Sequence, residues 1–141
     1  MLIFALLNFC FAGISSSQKI TKFIITDNLA SSVKFGYGKP KPAPPKDHFL
    51  IKPERGTQVL CYIDIEQEPQ ASAPFIYKFS AFKIVNGKDV WVDERVFNGK
   101  PTNTYALIAF NFFEEGKYKI VITGKDETQA IAQAELQVAK E

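Results

Sequence analysis

Downstream of residue 12 the apolar positions recur with a period of two rather than 3.6, and turn residues interrupt them at regular intervals, which predicts strands throughout. Ile20 to Thr26 is the first candidate, ended by Asp27 and Asn28, and Val33 to Tyr37 is the second. The segment Gly38 to Asp47, GKPKPAPPKD, carries four prolines. Proline withholds ladder donors and favours extended polyproline backbone, so this stretch predicts a loop or edge crossing, with a proline-motif ligand for another protein as the other reading.

The central region carries the clearest pattern. Phe49 to Ile51 is followed by a Pro53-Glu54-Arg55-Gly56 turn and then by Val59 to Glu66. In that strand Val59, Cys61, Ile63 and Ile65 share one face, and Tyr62, Asp64 and Glu66 share the other. An apolar row backed by a polar row is what a half-buried sandwich strand requires. Phe75 to Phe82 predicts another strand, with Phe75, Tyr77, Phe79 and Ala81 opposite Lys78 and Ser80. Asn86-Gly87 marks a hairpin turn, since both residues tolerate positive φ, and joins Lys83 to Val85 with Asp89 to Val92.

Thr104 to Phe113, TYALIAFNFF, is apolar on both faces. It predicts either a central strand covered twice, the preferred reading, or a strand whose outer side meets a partner. A last hairpin runs from Lys117 to Thr123, turns through Gly124 to Glu127 and returns as Ala130 to Val138. That return segment is rich in helix formers, but Ala132, Ala134, Leu136 and Val138 alternate with Gln133, Glu135 and Gln137, which favours a strand.

The segment Glu114-Glu115-Gly116-Lys117-Tyr118-Lys119-Ile120 resembles the acidic-x-Gly-x-Tyr-x-apolar signature of a late strand in immunoglobulin-like domains. The resemblance implies that the Tyr118 hydroxyl turns back onto the corner backbone, that Cys61 lies on the strand holding the other half of the core pair, and that Ile120 stands where the second cysteine would be. Apolar packing then replaces the bridge. Strands of the Pro-x-x-Gly-x-x-Val kind followed by Gly-x-Tyr strands are widespread in bacterial immunoglobulin-like and fibronectin-like envelope modules. The likeness covers roughly Phe49 to Val138 and implies an all-β, immunoglobulin-like antiparallel β-sandwich of about 7 to 9 strands. Tyr118, Cys61 and Ile120 are its structural residues.

The first twelve residues, MLIFALLNFCFA, hold no charged side chain and are too few to span a bilayer, which needs about 20 apolar residues. They match a signal-peptide core, with cleavage after Ala12 or as late as Ser15; a buried first strand is the other reading. A lipid anchor at Cys10 is not favoured, because Phe9 is bulky where such signals carry a small residue. Residues 13–47 are expected to form an N-terminal strand pair and the Pro-rich loop, in one domain with the sandwich core of residues 48–141. The length suits one domain, and 46% hydrophobic residues suffice for one core.

Charge and chemistry narrow the function. The 17 basic and 15 acidic residues nearly cancel, and only Arg55 and Arg95 are arginines, so no nucleic-acid partner is expected. The single histidine, His48, cannot build a multi-histidine metal site or a hydrolytic triad with Cys61. Asp64, Glu66 and Glu68 recur every second residue, and Asp89, Asp93 and Glu94 group around the hairpin. Both patterns fit solvated faces better than calcium or glycosidase sites. No catalytic residue, cofactor or metal is therefore expected.

These features predict a non-enzymatic exported module of the cell envelope, periplasmic or secreted. It would contact another envelope protein through sheets or loops, with Tyr62, Trp91, Phe112 and Phe113 as candidate partner surface. The alternative is a carbohydrate-binding or enzyme-accessory module, for which Tyr62, Tyr77 or Trp91 would have to face solvent together. A small hydrolase would need a cleft joining Asp64 and Glu66 to a further carboxylate.

Overall fold

Alternation of apolar and polar side chains builds eight strands in the computed structural model, which describes residues 18–27, 44–52, 54–67 and 73–141. They are β1 (Gln18–Thr26), β2 (His48–Ile51), β3 (Thr57–Gln67), β4 (Phe75–Val85), β5 (Lys88–Gly99), β6 (Tyr105–Phe112), β7 (Gly116–Gly124) and β8 (Ala132–Lys140). Two sheets form, one in the order β1-β3-β6 and the other in the order β2-β8-β7-β4-β5. Every pairing is antiparallel except that of β2 with β8, which is parallel. This is an immunoglobulin-like β-sandwich, and its eight strands fall within the expected range.

The core lies between the sheets and is contributed by both. Phe23, Cys61, Ile63 and Phe110 enter from the three-stranded sheet, and Phe79, Ile120, Leu136 and Val138 from the five-stranded one. The alternating row of β3 behaves as its pattern requires, with Val59, Cys61, Ile63 and Ile65 all buried. In β8, Ala132, Ala134, Leu136 and Val138 are buried while Glu135 is exposed. Burial of one face thus overrides the helix propensity of that segment.

The turns follow local chemistry. Asn86 and Gly87 both take positive φ, 52° and 76°, and close the β4–β5 hairpin with the right-handed twist its strands need. Between β2 and β3, Glu54 and Gly56 have φ of 67° and 68°, and the Lys52 carbonyl accepts hydrogen bonds from the Arg55 and Gly56 amides. A Cβ at Gly56 would lie 2.7 Å from both the Phe112 carbonyl oxygen and the Phe113 ring, so glycine is demanded there by contact as well as by backbone.

Three expectations change. Phe75 to Phe82 and Lys83 to Val85 are one continuous strand, β4, whose pairing with β5 shifts register between Ala81 and Phe82. β5 continues to Gly99, well past Val92, because ladder pairs persist down to Phe75 with Gly99. The strand predicted from Thr104 to Phe113 is not central among the described strands. Among the described strands, β6 lies at the end of its sheet and β3 occupies the middle. Its apolar outer residues have a different cause: Leu107 and Ala109 stand opposite Tyr62 and Leu60 of β3, and the outer side of this sheet buries Tyr62 and Thr26. The signal segment with Cys10, the strand Val33 to Tyr37, most of the Pro-rich loop and Glu68 lie outside the described residues.

Candidate interaction surface

β5 is twelve residues long and, among the described strands, pairs only with β4. Cross-strand partners share a sheet face, so the register sorts its side chains. Asp93, Arg95 and Phe97 stand opposite the buried Ala81, Phe79 and Tyr77, on the side of the core. Lys88 and Val90, opposite Val85 and Lys83, continue that side beyond the register shift. Asp89, Trp91, Glu94 and Val96 face outward, opposite Ile84, Phe82, Ser80 and Lys78. Val92 is the extra residue of the shift, a β-bulge, and has no partner on β4.

The result is an apolar ridge along the exposed edge of the strand, with Trp91 and Val96 on the outer face and Val90 on the core side. Trp91 is 58% exposed, and Val90, Val92 and Val96 are exposed beside it. Charged neighbours flank the ridge and are tied down: Asp89 bonds Lys119, Arg95 bonds Asp93 at 2.9 Å, and Lys78 lies 3.9 Å from Glu94. Arg95 also reaches across the open side of the sandwich, 5.7 Å from the centre of the Phe110 ring, and closes the core at that edge.

The four rings expected to offer partner surface are not brought together. Tyr62 and Phe112 are each only 2% exposed, so neither presents a surface in this fold. Tyr62 stacks on Tyr105, with ring centres 6.2 Å apart, and donates to the Asp64 carboxylate at 2.6 Å. Burial, with the Asp64 charge adding to it, pushes the Tyr62 hydroxyl pKa up. Phe112 packs on Tyr118, 4.3 Å between centres. Phe113 is exposed, but it lines a separate open groove of about 400 Å³ with Ile51, Lys52, Glu54, Gly56 and Lys140. Trp91 is not part of that groove.

The Tyr118 hydroxyl donates to the Glu114 carbonyl at 2.8 Å, closing the corner that leads into β7. Cys61 on β3 and Ile120 on β7 are both fully buried, on opposite sheets of one core, and burial drives the Cys61 thiol pKa up. Of the candidate chemistry, Asp64 is occupied by Tyr62 and Glu66 is exposed. His48 sits on the edge strand β2, with its imidazole largely in solvent and Nδ1 2.7 Å from the Asp47 carboxylate. Among the described residues, no three His, Cys, Asp or Glu side chains group as metal ligands.

Tyr77, one of the rings a sugar platform would use, is 5% exposed, and burial raises its hydroxyl pKa to about 12. With Tyr62 and Tyr77 both inside, neither stands at the surface with Trp91. The ridge itself carries a sequence signal that alternation overlooks. Val90-Trp91-Val92 are three consecutive apolar residues, which no regular strand can place on one face and which here coincide with the bulge.

No protein-family model and no curated protein matches the sequence. Among solved structures, the chain is similar to an immunoglobulin-like protein from Pseudomonas aeruginosa, with a TM-score of 0.51 and 13% identity. The match covers 90% of this chain and 100% of that one. At that identity the likeness defines the class of fold, an immunoglobulin-like sandwich, and nothing of its activity.

Proposed function

We propose that this protein is an exported, non-enzymatic binding module of the cell envelope that contacts another protein through the β4–β5 hairpin and the edge of β5. The observation that carries this reading is the solvent exposure of Val90, Trp91, Val92 and Val96 along one strand, four of the exposed large hydrophobic residues brought together on a single element. An exposed tryptophan ringed by apolar and charged neighbours has the composition of an interface anchor, where a few aromatic residues supply most of the affinity. Export is supported by the charge-free apolar stretch of residues 1–12, and placement in the envelope by the resemblance around Tyr118. The carbohydrate alternative needs aromatic rings exposed together, and the burial of Tyr62 and Tyr77 withdraws its support.

Affinity capture from envelope extract tests the binding reading, with the parent protein and its Trp91→Ala variant run side by side. The expected result is a partner retained by the parent and lost by the variant. An identical set of captured proteins would overturn the assignment of β5 as the contact. Mass spectrometry of the mature amino terminus tests export, with residues 1–12 or 1–15 expected to be absent.

A further inference from the structure

The sequence Asn-Gly occurs twice, at Asn86-Gly87 and Asn98-Gly99, and lysine follows each time, as Lys88 and Lys100. The peptide nitrogen after an asparagine can attack the asparagine's own carboxamide. Glycine has no side chain to obstruct that approach and leaves the backbone free to turn, so Asn-Gly is the sequence most open to it. With the same glycine and the same lysine, the two sites have nearly equal intrinsic reactivity. The fold separates them.

Attack requires the glycine nitrogen to swing onto the asparagine Cγ, so the peptide joining the two residues must rotate. At the tip of the β4–β5 hairpin that rotation disturbs little. Asn86 and Gly87 are exposed, a Cβ at Gly87 would meet nothing within 4 Å, and the first rung inward is Val85 with Lys88. Only the turn itself, with φ of 52° and 76°, has to open. The Asn98 side chain is exposed too, but its main chain lies in the ladder opposite Ile76, and Gly99 lies opposite Phe75. Gly99 is buried, with the Phe75 ring 2.2 Å from where its Cβ would stand. Rotating that peptide breaks two rungs and drags Gly99 out from under the ring.

We propose that Asn86 is a site of spontaneous covalent modification, converting to aspartate and isoaspartate through a cyclic imide, while the β4–β5 ladder holds Asn98 unreactive in the same local sequence. The Gly87 nitrogen loses its proton and bonds to the Asn86 Cγ; the Cγ–Nδ2 bond breaks, and the departing nitrogen takes up a proton and leaves as ammonia. Water then opens the imide. Addition at the side-chain carbonyl gives aspartate, and addition at the main-chain carbonyl gives isoaspartate, whose main chain runs through Cβ and Cγ. Either product places a new carboxylate at the hairpin tip beside Lys88. Isoaspartate also inserts a methylene into a two-residue turn whose geometry is matched to its strands, and so opens the hairpin end at Val85 and Lys88. This inference stands independently of the binding reading above.

The purified protein, aged at mildly alkaline pH both native and in urea, provides the test, with peptide mapping to follow the mass gain of amide-to-acid conversion at each asparagine. In urea the two sites are expected to convert at rates within about threefold of each other, and in the native protein Asn86 is expected to convert at least about tenfold faster than Asn98. Native rates that match at the two sites overturn the proposal, as does an Asn86 that converts in urea and not in the native protein. A preference for Asn86 that persists undiminished in urea overturns it as well, because sequence and not fold would then be the cause. The isoaspartyl form, separated by chromatography, is expected to unfold at lower urea than the Asn86→Asp variant, which has the charge without the methylene. Equal midpoints for those two overturn the opening of the hairpin.

Discussion

The Tyr118 hydroxyl donates to the Glu114 carbonyl across four residues, at 2.8 Å, and so pins the loop after β6 to the first turn of β7. The ring stays buried against Phe112. Tyr118→Phe removes the hydrogen bond and keeps the ring, so the fold is expected to persist with a loss of about 1 kcal/mol. Urea denaturation gives the difference. An unchanged midpoint would mean that water replaces the bond at no penalty.

Cys61 sits in the core with no partner cysteine among the described residues. Its thiol is predicted to be inert to aromatic disulfide reagents in the native protein and to react only as fast as the core opens. Following the reaction with and without mild denaturant separates the two regimes. Rapid labelling of Cys61 itself in the native protein, located by peptide mapping, would contradict its burial.

Alkaline pH should destabilise the fold through its buried tyrosines. Burial raises the Tyr77 pKa from the ordinary tyrosine value of 10.0 to about 12, and that of Tyr62 is raised as well. A raised folded-state pKa means the stabilisation is fully present below pH 10 and is lost as pH climbs, because the unfolded chain releases these protons first. For Tyr77 the loss accrues at about 1.4 kcal/mol per pH unit between pH 10 and 12. Denaturation midpoints measured from pH 8 to 11.5 check this, and Tyr77→Phe should flatten the slope.

Gly99 and Gly87 differ in why they are glycine. A Cβ at Gly99 would sit 2.2 Å from the Phe75 ring, while one at Gly87 meets nothing within 4 Å but must adopt a φ of 76°. Gly99→Ala is expected to destabilise by about 1 to 3 kcal/mol through overpacking, and Phe75→Leu in the same chain should recover part of that. Gly87→Ala should lose about 1 to 2 kcal/mol, which no second substitution nearby recovers. A double-mutant cycle on Phe75 and Gly99 measures the coupling.

Trp91 is more than half exposed, so Trp91→Ala should leave the unfolding free energy within about 0.5 kcal/mol of the parent while removing the captured partner. A variant that unfolds would show the indole to be part of the core.

The strands and the corner were legible because each rests on residues close in sequence. The alternation of β3, Asn86-Gly87 and the Gly116-Lys117-Tyr118 run all carry their geometry locally. The position of β6 at the end of its sheet among the described strands was not legible, because apolar residues on both faces look the same whether the strand is central or at an end. The contrast between Phe112 and Phe113 turned on one step of parity: the first points into the core and the second lies over Gly56. Tyr62 looked outward by alternation and does lie on the outer side, but it is buried there, which no single strand can report. The ridge at Trp91 depended on a bulge, and alternation breaks down at a bulge.

The parallel pairing of β2 with β8 gives the sandwich a mechanical polarity. Tension between the chain entering β2 and the chain leaving β8 drags the two strands past each other along their axes, so the hydrogen bonds from His48 to Ile51 share the load and must fail together. Force on the β4–β5 hairpin from its open end would instead part the ladder one rung at a time. The same sheet therefore has one edge built to hold under traction and, at its opposite side, one that peels.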